Sequence, residues 1–313
     1  MKVALGLGLA DYPFATAADY WRWVDLCEQG GIDSLWQTDR IVSATPILES
    51  MATMAALAGR TRRLKFGVNV VSLAMRDPVL LAKQCATIDV LSEGRLLPAF
   101  GIGSPRAPEW QALNLDTTTR GRVTDEALEI LALLWTGQPT TYQGKHFQLT
   151  GAQISPKPVQ PDLPMWIGGN SDAAIRRTAK YGTGWQAGAE TPAQLAPLVA
   201  AIRAASLEAG RPIDDDHYGA AFPFRFGDPN DPTLARLKSA YAKRSGQNPD
   251  DHFAIGDAQT ILARLAAYIE AGAQKFILRP LATDGADTIH QTRLLIDHVL
   301  PESSRRWPKA KRA

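Results

Sequence analysis

The chain has 313 residues, of which 45% are hydrophobic and 21% are charged, and its formal net charge is +2. This composition is typical of a globular protein, and the near-neutral charge gives no reason to expect a nucleic-acid-binding surface. No apolar run approaches the roughly 20 residues that a membrane-spanning helix needs, so we expect no membrane contact; the two cysteines, predicted to be free thiols, favour a cytoplasmic location.

The first hundred residues alternate between strand and helix patterns. Strands are predicted over 3–9, 32–38 and 64–73, and helices over 17–29, 46–58 and 77–91. Residues 3–9 are apolar and lack the cleavage pattern of a signal peptide, so they are predicted to form a strand. Asp77 and Pro78 form a helix start, with Asp as N-cap and Pro at the first helical position. Cys27 and Cys85 fall inside helices and are predicted to be buried free thiols, which suits a reducing compartment.

Residues 94–103 predict a fourth strand that ends in Gly101-Ile-Gly103. Glycines there would let a flat or phosphorylated ligand approach the backbone closely. Pro98 removes a donor from the strand, so we expect it at a bulge or an unpaired position. Residues 104–119 have no clear period and predict an insertion, in which Trp110 is an exposed aromatic that could cover a ligand.

The second half of the chain repeats the alternation with longer interruptions. A hairpin is predicted over 142–149, strands over 165–169, 184–187, 217–226 and 275–279, and helices over 120–135, 171–181, 192–209, 258–271 and 288–300. Residues 228–256 predict a second irregular insertion. The basic stretch 303–313 is expected to be a frayed tail.

Eight strands alternating with helices predict an α/β fold of the (β/α)8 TIM-barrel type, with insertions after strands four and seven. We expect one barrel domain over 1–302, followed by the tail. The alternative is an open doubly wound sheet, but its usual GxGxxG fingerprint after the first strand is absent.

In such a barrel the active site lies at the C-terminal ends of the strands. That position selects a set of polar residues and glycines: Asp39, Arg40, Asn69, Gly101, Gly103, Ser104, Gly168, Gly169, Asn170, Ser171, Gln186, Arg225 and Arg279. Residues 168–171 lead into a helix N-terminus, which favours a phosphate, and Arg279 ends the last strand. A glycine turn with an ordinary helix cap, and a paired arginine, are the alternatives.

Single residues at this rim are ambiguous. Asp39 either accepts hydrogen bonds from a heterocycle or forms an ion pair with Arg40 or another neighbour. Asn69 either bonds the backbone or faces a ligand, because a buried amide needs partners. The five histidines are scattered, so we expect no metal site.

With these residues in hand, the chain resembles the bacterial luciferase-like monooxygenase family over nearly its whole length. The resemblance rests on an ordered set of motifs: residues 77–95, 122–137, 154–161, 164–171 and 181–185. It implies a barrel that binds reduced flavin mononucleotide (FMN) or the deazaflavin F420 at the strand C-termini. It also implies a bulge in strand three, where we predict a cis peptide bond between Asn69 and Val70.

The resemblance also bears on the cofactor and its contacts. F420-dependent members carry an acidic residue followed by His after strand two, whereas this chain has Asp39-Arg40, which favours FMN. Rim position and resemblance together give these expected cofactor contacts: Asp39, Asn69, Val70, Gly101, Gly103, Ser104, Gly168, Gly169, Asn170 and Arg279. Gly101 and Gly103 would lie beside the ring system and 168–170 at the phosphate, with Arg279 as a second anchor.

We therefore hypothesise a flavin-dependent monooxygenase that uses reduced FMN and O2 on a small organic substrate, with Arg225 orienting an anionic substrate or intermediate. A separate reductase would supply the reduced flavin. The alternatives are an F420-dependent hydride-transfer enzyme and a flavin-binding barrel without catalysis. The resemblance implies a homodimer, with the helix over 46–58, including Met51 and Met54, as a candidate face; simple packing on the barrel is the alternative.

Overall fold

The computed structural model describes residues 3–308, except for the side chain of Arg244. These residues form eleven strands: β1 (Ala4–Leu9), β2 (Ser34–Gln37), β3 (Lys65–Ser72), β4 (Leu96–Gly101), β5 (Thr140–Gln143), β6 (Gln148–Ala152), β7 (Trp166–Gly168), β8 (Gly184–Gln186), β9 (Tyr218–Phe226), β10 (Ala254–Gly256) and β11 (Lys275–Pro280). β5 and β6 form the expected separate antiparallel hairpin.

Eight of these strands close into a parallel barrel. β1 pairs with both β2 and β11, and the pairing runs on through β3, β4, β7, β8 and β9 back to β11. An open doubly wound sheet would leave two unpaired edges, so the prediction of a (β/α)8 TIM barrel is confirmed. β10 pairs in parallel with the C-terminal half of β9, outside the closed ring.

Helices cover the outside of the barrel and fill its connections. They are α1 (Ala17–Gln29), α2 (Ser50–Arg60), α3 (Pro78–Ser92), α4 (Glu109–Ala112), α5 (Arg120–Trp135), α6 (Asp172–Tyr181), α7 (Pro192–Glu208), α8 (Pro232–Ser245), α9 (Pro249–His252), α10 (Ala258–Glu270), α11 (Gly285–Leu294) and α12 (Leu300–Arg306). The expected N-cap of α3, Asp77, accepts from the amide of Leu80, and Thr16 caps α1 in the same way by accepting from the amide of Asp19.

The apolar core has two parts. A small cluster fills the barrel interior and includes Trp36, Ala99, Trp166 and Ile277. A much larger cluster packs the outer face of the sheet against the helices. Cys27 and Cys85 are both free and buried, as predicted, and burial raises the pKa of the Cys85 thiol to about 12.

α2 differs from its prediction at both ends. It begins at Ser50 with Glu49 as N-cap, four residues later than expected, because tertiary bonds hold the preceding stretch extended: Tyr12 donates to the carbonyl of Pro46. Gly59 lies inside the helix. Met51 and Met54 are 4% and 1% exposed within the main core, so they pack on the barrel and do not form a free face.

The two insertions are more regular than the sequence suggested. Residues 104–119 contain α4 and a short 3-10 turn. The stretch 228–256, expected to be irregular, contains α8, α9 and β10. α8 starts with Asp231 as N-cap and Pro232 at the first position, which is the same signal as Asp77-Pro78. The amide of Gly227 bonds the carbonyl of Gly256 (3.1 Å), which joins the two ends of this second insertion.

The C-terminal segment stays helical beyond the point where a tail was expected. A π-helical turn, Leu295–Val299, joins α11 to α12. α12 includes Ser303, which is 4% exposed; residues 309–313 lie outside the described residues. No helix within 3–308 combines the length and the apolar character needed to cross a membrane.

β3 carries the predicted irregularity. Its register against β4 shifts between Val68 and Val71, and the peptide bond between Asn69 and Val70 is cis, which confirms that prediction. Pro98 is paired with Val68, the last residue before the shift, so it lies next to the bulge of β3 and not at an unpaired position.

Candidate active site

Among the described residues, two cavities at the C-terminal ends of the barrel strands are lined by residues predicted for the rim. One lies between β4, β7, α5 and α6 and has a volume of about 280 Å³; we call it the glycine-loop cavity. The other lies above the ends of β1, β9 and β11, beneath α8, and measures about 270 Å³; we call it the α8 cavity. Because β4 and β7 stand opposite β11 and β1 in the ring, the cavities flank the mouth from opposite sides.

The glycine-loop cavity is lined by the segment 168–171, as expected for a phosphate site. Other lining residues are Phe100, Gly101, Ile102, Thr124, Leu128, Ile167, Ala174 and Arg177. Gly168 and Gly101 are required here because Val70 packs against both. A Cβ on Gly168 would lie 2.9 Å from Val70 Cγ1, and one on Gly101 would lie 2.7 Å from Val70 Cγ2.

Polar groups of this cavity suit an anion. The N-terminus of α6 begins here: Ser171 caps it by accepting from the amide of Ala174, and Gly169 has a φ of +114°. The hydroxyl of Thr124, a residue only 1% exposed, is buried without a hydrogen-bond partner. A buried polar atom normally has a partner, so this orphan marks a place where a ligand oxygen fits.

Two further side chains border the cavity but already have partners. Arg177 forms a bidentate ion pair with Asp125 through Nε and Nη2 (2.5 and 3.3 Å). Asn170 donates to Glu190 (2.7 Å). Thr124 and Arg177 lie on helices away from strand ends, so strand-end reasoning did not select them. An orphaned hydroxyl cannot be recognised before the packing is known.

Asp39 lies in a buried ionic network. Its Oδ1 accepts from Arg76 (2.6 Å) and Ser50 (2.7 Å), and its Oδ2 accepts from the amide of Ser72 (3.0 Å). The side chain is only 2% exposed. Both oxygens are therefore used within the protein, which matches the ion-pair alternative, with Arg76 as the partner in place of Arg40.

Arg40 instead pairs with Glu109, at 3.3 Å. Glu109 is 1% exposed and also accepts from the amides of Ile41 and Val42. This carboxylate ties the loop after β2 to α4, and nothing in its sequence context distinguishes it from a surface glutamate.

The loop after β4 is closed by its own tryptophan. Trp110 is 5% exposed, donates from Nε1 to the carbonyl of Ser104 (2.7 Å), and packs on Ala74 and Met75. It is therefore a buried anchor, and the expectation of an exposed lid aromatic is wrong. Gly103 has a φ of +73°, and a Cβ there would lie 3.3 Å from the Trp110 ring.

Arg225 and Arg279, both expected at the rim, have different surroundings. Arg225 donates from Nη1 to Asp287 (2.6 Å) and to the carbonyl of Leu281 (2.7 Å). Asp287 thus supplies the anion that the prediction assigned to a substrate, and the pair braces β9 against α11. Arg279 lines the α8 cavity, away from the glycine loop, so it is not placed as a second anchor for the same phosphate.

The remaining rim residues divide between the interior and the mouth. Gln186 is 1% exposed inside the barrel, and its Oε1 has no partner. Asn69 is half-buried beside the cis bond, and within 3–308 its side chain forms no hydrogen bond with the protein.

The α8 cavity is mostly apolar, with few polar groups. Its apolar lining residues are Leu9, Ala10, Pro13, Ala189, Pro223, Leu237, Ala240, Tyr241, Phe253, Pro280, Leu281 and Ala282. Asp11, His252, Arg279 and Thr288 contribute its polar side chains. Burial, with smaller contributions from Arg279 and Arg264, lowers the pKa of His252 to about 4, so this imidazole is neutral at physiological pH.

Comparisons with known proteins agree with this architecture. A sequence model of the family described as luciferase-like monooxygenase matches residues 5–253. An uncharacterized protein of Mycobacterium tuberculosis is 34% identical over 167 residues, which are 53% of this chain and 57% of that protein. The match thus spans little more than half the length of this relative.

Two solved structures share the fold over nearly the whole chain. An F420-dependent secondary alcohol dehydrogenase in complex with an F420–acetone adduct has a TM-score of 0.83 at 18% identity, covering 96% of this chain and 99% of that one. The oxygenating constituent of 3,6-diketocamphane monooxygenase from Pseudomonas putida, in complex with FMN, has a TM-score of 0.76 at 19% identity with the same coverage. At these identities the likeness shows the fold alone.

Proposed function

The chain belongs to the luciferase-like monooxygenase family, and we propose that it is a flavin-dependent monooxygenase that uses reduced FMN and O2 on a small organic substrate. The observation that carries the proposal is the glycine-loop cavity. It combines a helix N-terminus, a loop of small residues and an orphaned hydroxyl at the mouth of the barrel. Helix N-termini of this kind favour phosphate groups.

The residues fit the phosphate end of FMN. Free amides at the start of α6 and the hydroxyl of Thr124 would bind the phosphate oxygens, and Gly168 and Gly169 leave room for them. Asp172, in the first turn of α6, is exposed and does not line the cavity. Val70, Gly101, Gly103 and Ser104 would contact the ring system at the mouth of the barrel.

The surroundings of Asp39 favour FMN over F420. The acidic residue that F420-dependent members use beside the deazaflavin is here bound to Arg76, Ser50 and the backbone of Ser72. The following histidine of those members is Arg40, which pairs with Glu109. Neither residue is therefore available for the contact that the F420 alternative needs.

The chain's own residues bind, orient and exclude water. When bound, reduced FMN would supply the electrons by which one oxygen atom of O2 enters the substrate and the other leaves as water. Val70, packed between Gly101 and Gly168, would help to hold the ring system. Trp110 and Glu109 fix the loops after β4 and β2, which keeps the walls of the mouth in place.

The test is a titration of the apoprotein with FMN, reduced FMN and F420, followed by oxygen uptake with a separate flavin reductase and a panel of small ketones, sulfides and heterocycles. Reductase with FMN but without this protein gives the background. We expect FMN binding and substrate-dependent oxygen uptake above that background. F420 binding without such uptake would support the hydride-transfer alternative, and FMN binding without turnover would support a non-catalytic barrel.

Three further features of the proposal follow from the family resemblance. A separate reductase would supply reduced FMN, residues 1–302 would act as one domain, and the enzyme would be a homodimer. Sedimentation velocity of the purified chain tests the dimer, for which a 34.0 kDa protomer sets the scale.

A further inference from the structure

We propose that the α8 cavity binds a small, mostly apolar organic anion that carries a hydroxyl group, with Arg279 binding the anionic group and Nε2 of His252 accepting a hydrogen bond from the hydroxyl. The identification of this ligand as the substrate rests on the proposed function, whereas the prediction that it binds does not.

The volume and the lining of the cavity indicate the size and the apolar character of the ligand. Its volume of about 270 Å³ corresponds to roughly nine water molecules at their share of liquid volume, which suits a molecule of about ten non-hydrogen atoms. Leu9, Pro223, Leu237 and Phe253 are among the apolar residues that surround this space. Apolar walls with a few polar groups are typical of small-molecule sites.

The charge of the cavity favours an anion. Arg279 lines it, and Arg264 donates to the carbonyls of Asp250 and Phe253 at the end of α9, just behind it. Both guanidinium groups contribute to the lowered pKa of His252, as positive charges near an imidazole do. Asp11 is exposed at the outer edge. A carboxylate inside the cavity would be attracted to Arg279 at short range in a poorly solvated space.

A chain of hydrogen bonds fixes the tautomer of His252. The hydroxyl of Tyr268 donates to the carbonyl of Glu190 (2.8 Å), so its single proton is used. The same oxygen lies 3.3 Å from Nδ1 of His252, and that contact is a hydrogen bond only if Nδ1 carries the proton. Nε2 is then an acceptor, and it has no partner among the described residues.

His252 is also held rigidly. Its ring stacks on Tyr241 at 5.4 Å with an interplanar angle of 11°, and the residue is 4% exposed. A neutral ring with a fixed lone pair can accept from a hydroxyl but cannot donate to a carboxylate. The cavity therefore offers one site for an anion and a separate one for a hydrogen-bond donor, both close to the apolar space.

The first test measures binding to the apoprotein by calorimetry, so that it is independent of any flavin. The probes are trans-4-hydroxycyclohexanecarboxylate, cyclohexanecarboxylate and cyclohexanol. We expect the hydroxy acid to bind best. Removing its hydroxyl should weaken binding about tenfold, and removing its carboxylate should weaken it by about tenfold to a hundredfold.

Two variants test which side chain is responsible for each of these differences in binding. In His252→Phe, which keeps an aromatic ring against Tyr241, the preference for the hydroxy acid over cyclohexanecarboxylate should disappear. In Arg279→Gln, the preference for the acids over cyclohexanol should disappear. His290→Phe, at an exposed site on α11, is the matched control and should bind like the wild type. Thermal unfolding checks that each variant is folded.

A second measurement reads the tautomer directly. Nitrogen-15 NMR of histidine-labelled protein should show His252 protonated at Nδ1 at pH 7, and Tyr268→Phe should shift that signal towards the other tautomer. The inference is overturned if no probe binds, if His252→Phe keeps the hydroxyl preference, or if Nε2 carries the proton. Failure of FMN to bind would overturn the proposed function and leave these three results unaffected.

Discussion

Replacing Thr124 by Val should make the apoprotein more stable and the FMN complex weaker. The hydroxyl of Thr124 is buried in the glycine-loop cavity without a partner. An unsatisfied buried donor costs roughly 1–3 kcal/mol. Valine has nearly the same shape and no polar atom, so we expect a gain of about 1 kcal/mol in the free energy of unfolding.

The same substitution should weaken FMN binding. A hydrogen bond to a charged acceptor contributes about 1.5–3 kcal/mol, so the loss of the Thr124 hydroxyl should raise the dissociation constant by roughly tenfold to a hundredfold. Urea unfolding of the apoprotein and fluorescence titration with FMN measure the two effects separately.

Thr178→Val is the matched control. Thr178 is fully buried on α6, and its hydroxyl already donates to the carbonyl of Ala174 (2.8 Å). Valine there should lower stability by about 0.5–1.5 kcal/mol and leave FMN binding unchanged. If Thr124→Val loses stability as the control does, or binds FMN as tightly as the wild type, the phosphate assignment of this cavity fails.

Two pairs of substitutions and one pH dependence test further features. Gly168→Ala places a Cβ 2.9 Å from Val70 and should lower the free energy of unfolding by about 1–3 kcal/mol. Adding Val70→Ala to the same chain should recover most of this loss in thermal unfolding. Equal losses in the single and double variants would contradict the clash. Arg76→Gln leaves the carboxylate of Asp39, which is 2% exposed, without its ionic partner and should lower the free energy of unfolding by about 3–5 kcal/mol. Adding Asp39→Asn should restore part of this stability, as measured by urea unfolding. Additive losses would contradict the pairing. The folded-state pKa of His252 is about 4, below its usual value near 6.5, so the unfolded chain takes up this proton first and stability should fall as pH drops from 6.5 to 4, by at most about 3 kcal/mol. His252→Phe should show a smaller fall over that window, and equal slopes for the two proteins would refute this.

The barrel could be predicted from the sequence because each of its signals is local. Apolar runs, the Asp77-Pro78 start and glycine stops are read within a few residues, and eight repeats of one pattern leave few topologies. The family motifs add the bulge in β3 and its cis bond. α8 was missed although Asp231-Pro232 carries the same start signal, because that signal was not used within a stretch predicted to be irregular.

The site was only partly predictable because its decisive contacts are distant in sequence. Asp39 is bound by Arg76, and Arg225 by Asp287, 62 positions away. A position at a strand end cannot distinguish a free charge from a paired one. His252 and Thr124 gained their interest only from what surrounds them: a cavity wall, a hydroxyl without a partner and a tautomer set by Tyr268.

The bond between Gly227 and Gly256 has a consequence for how the enzyme can change. It joins the two ends of the second insertion at a point where β10 continues alongside β9. The segment between them, which includes α8 and His252, is therefore an insertion whose two ends are joined by a single backbone hydrogen bond. Such a cassette can be shortened, lengthened or exchanged without moving a barrel strand. Selectivity for ligands can then diverge by replacing this cassette, while the glycine loop on the far side of the mouth stays as it is.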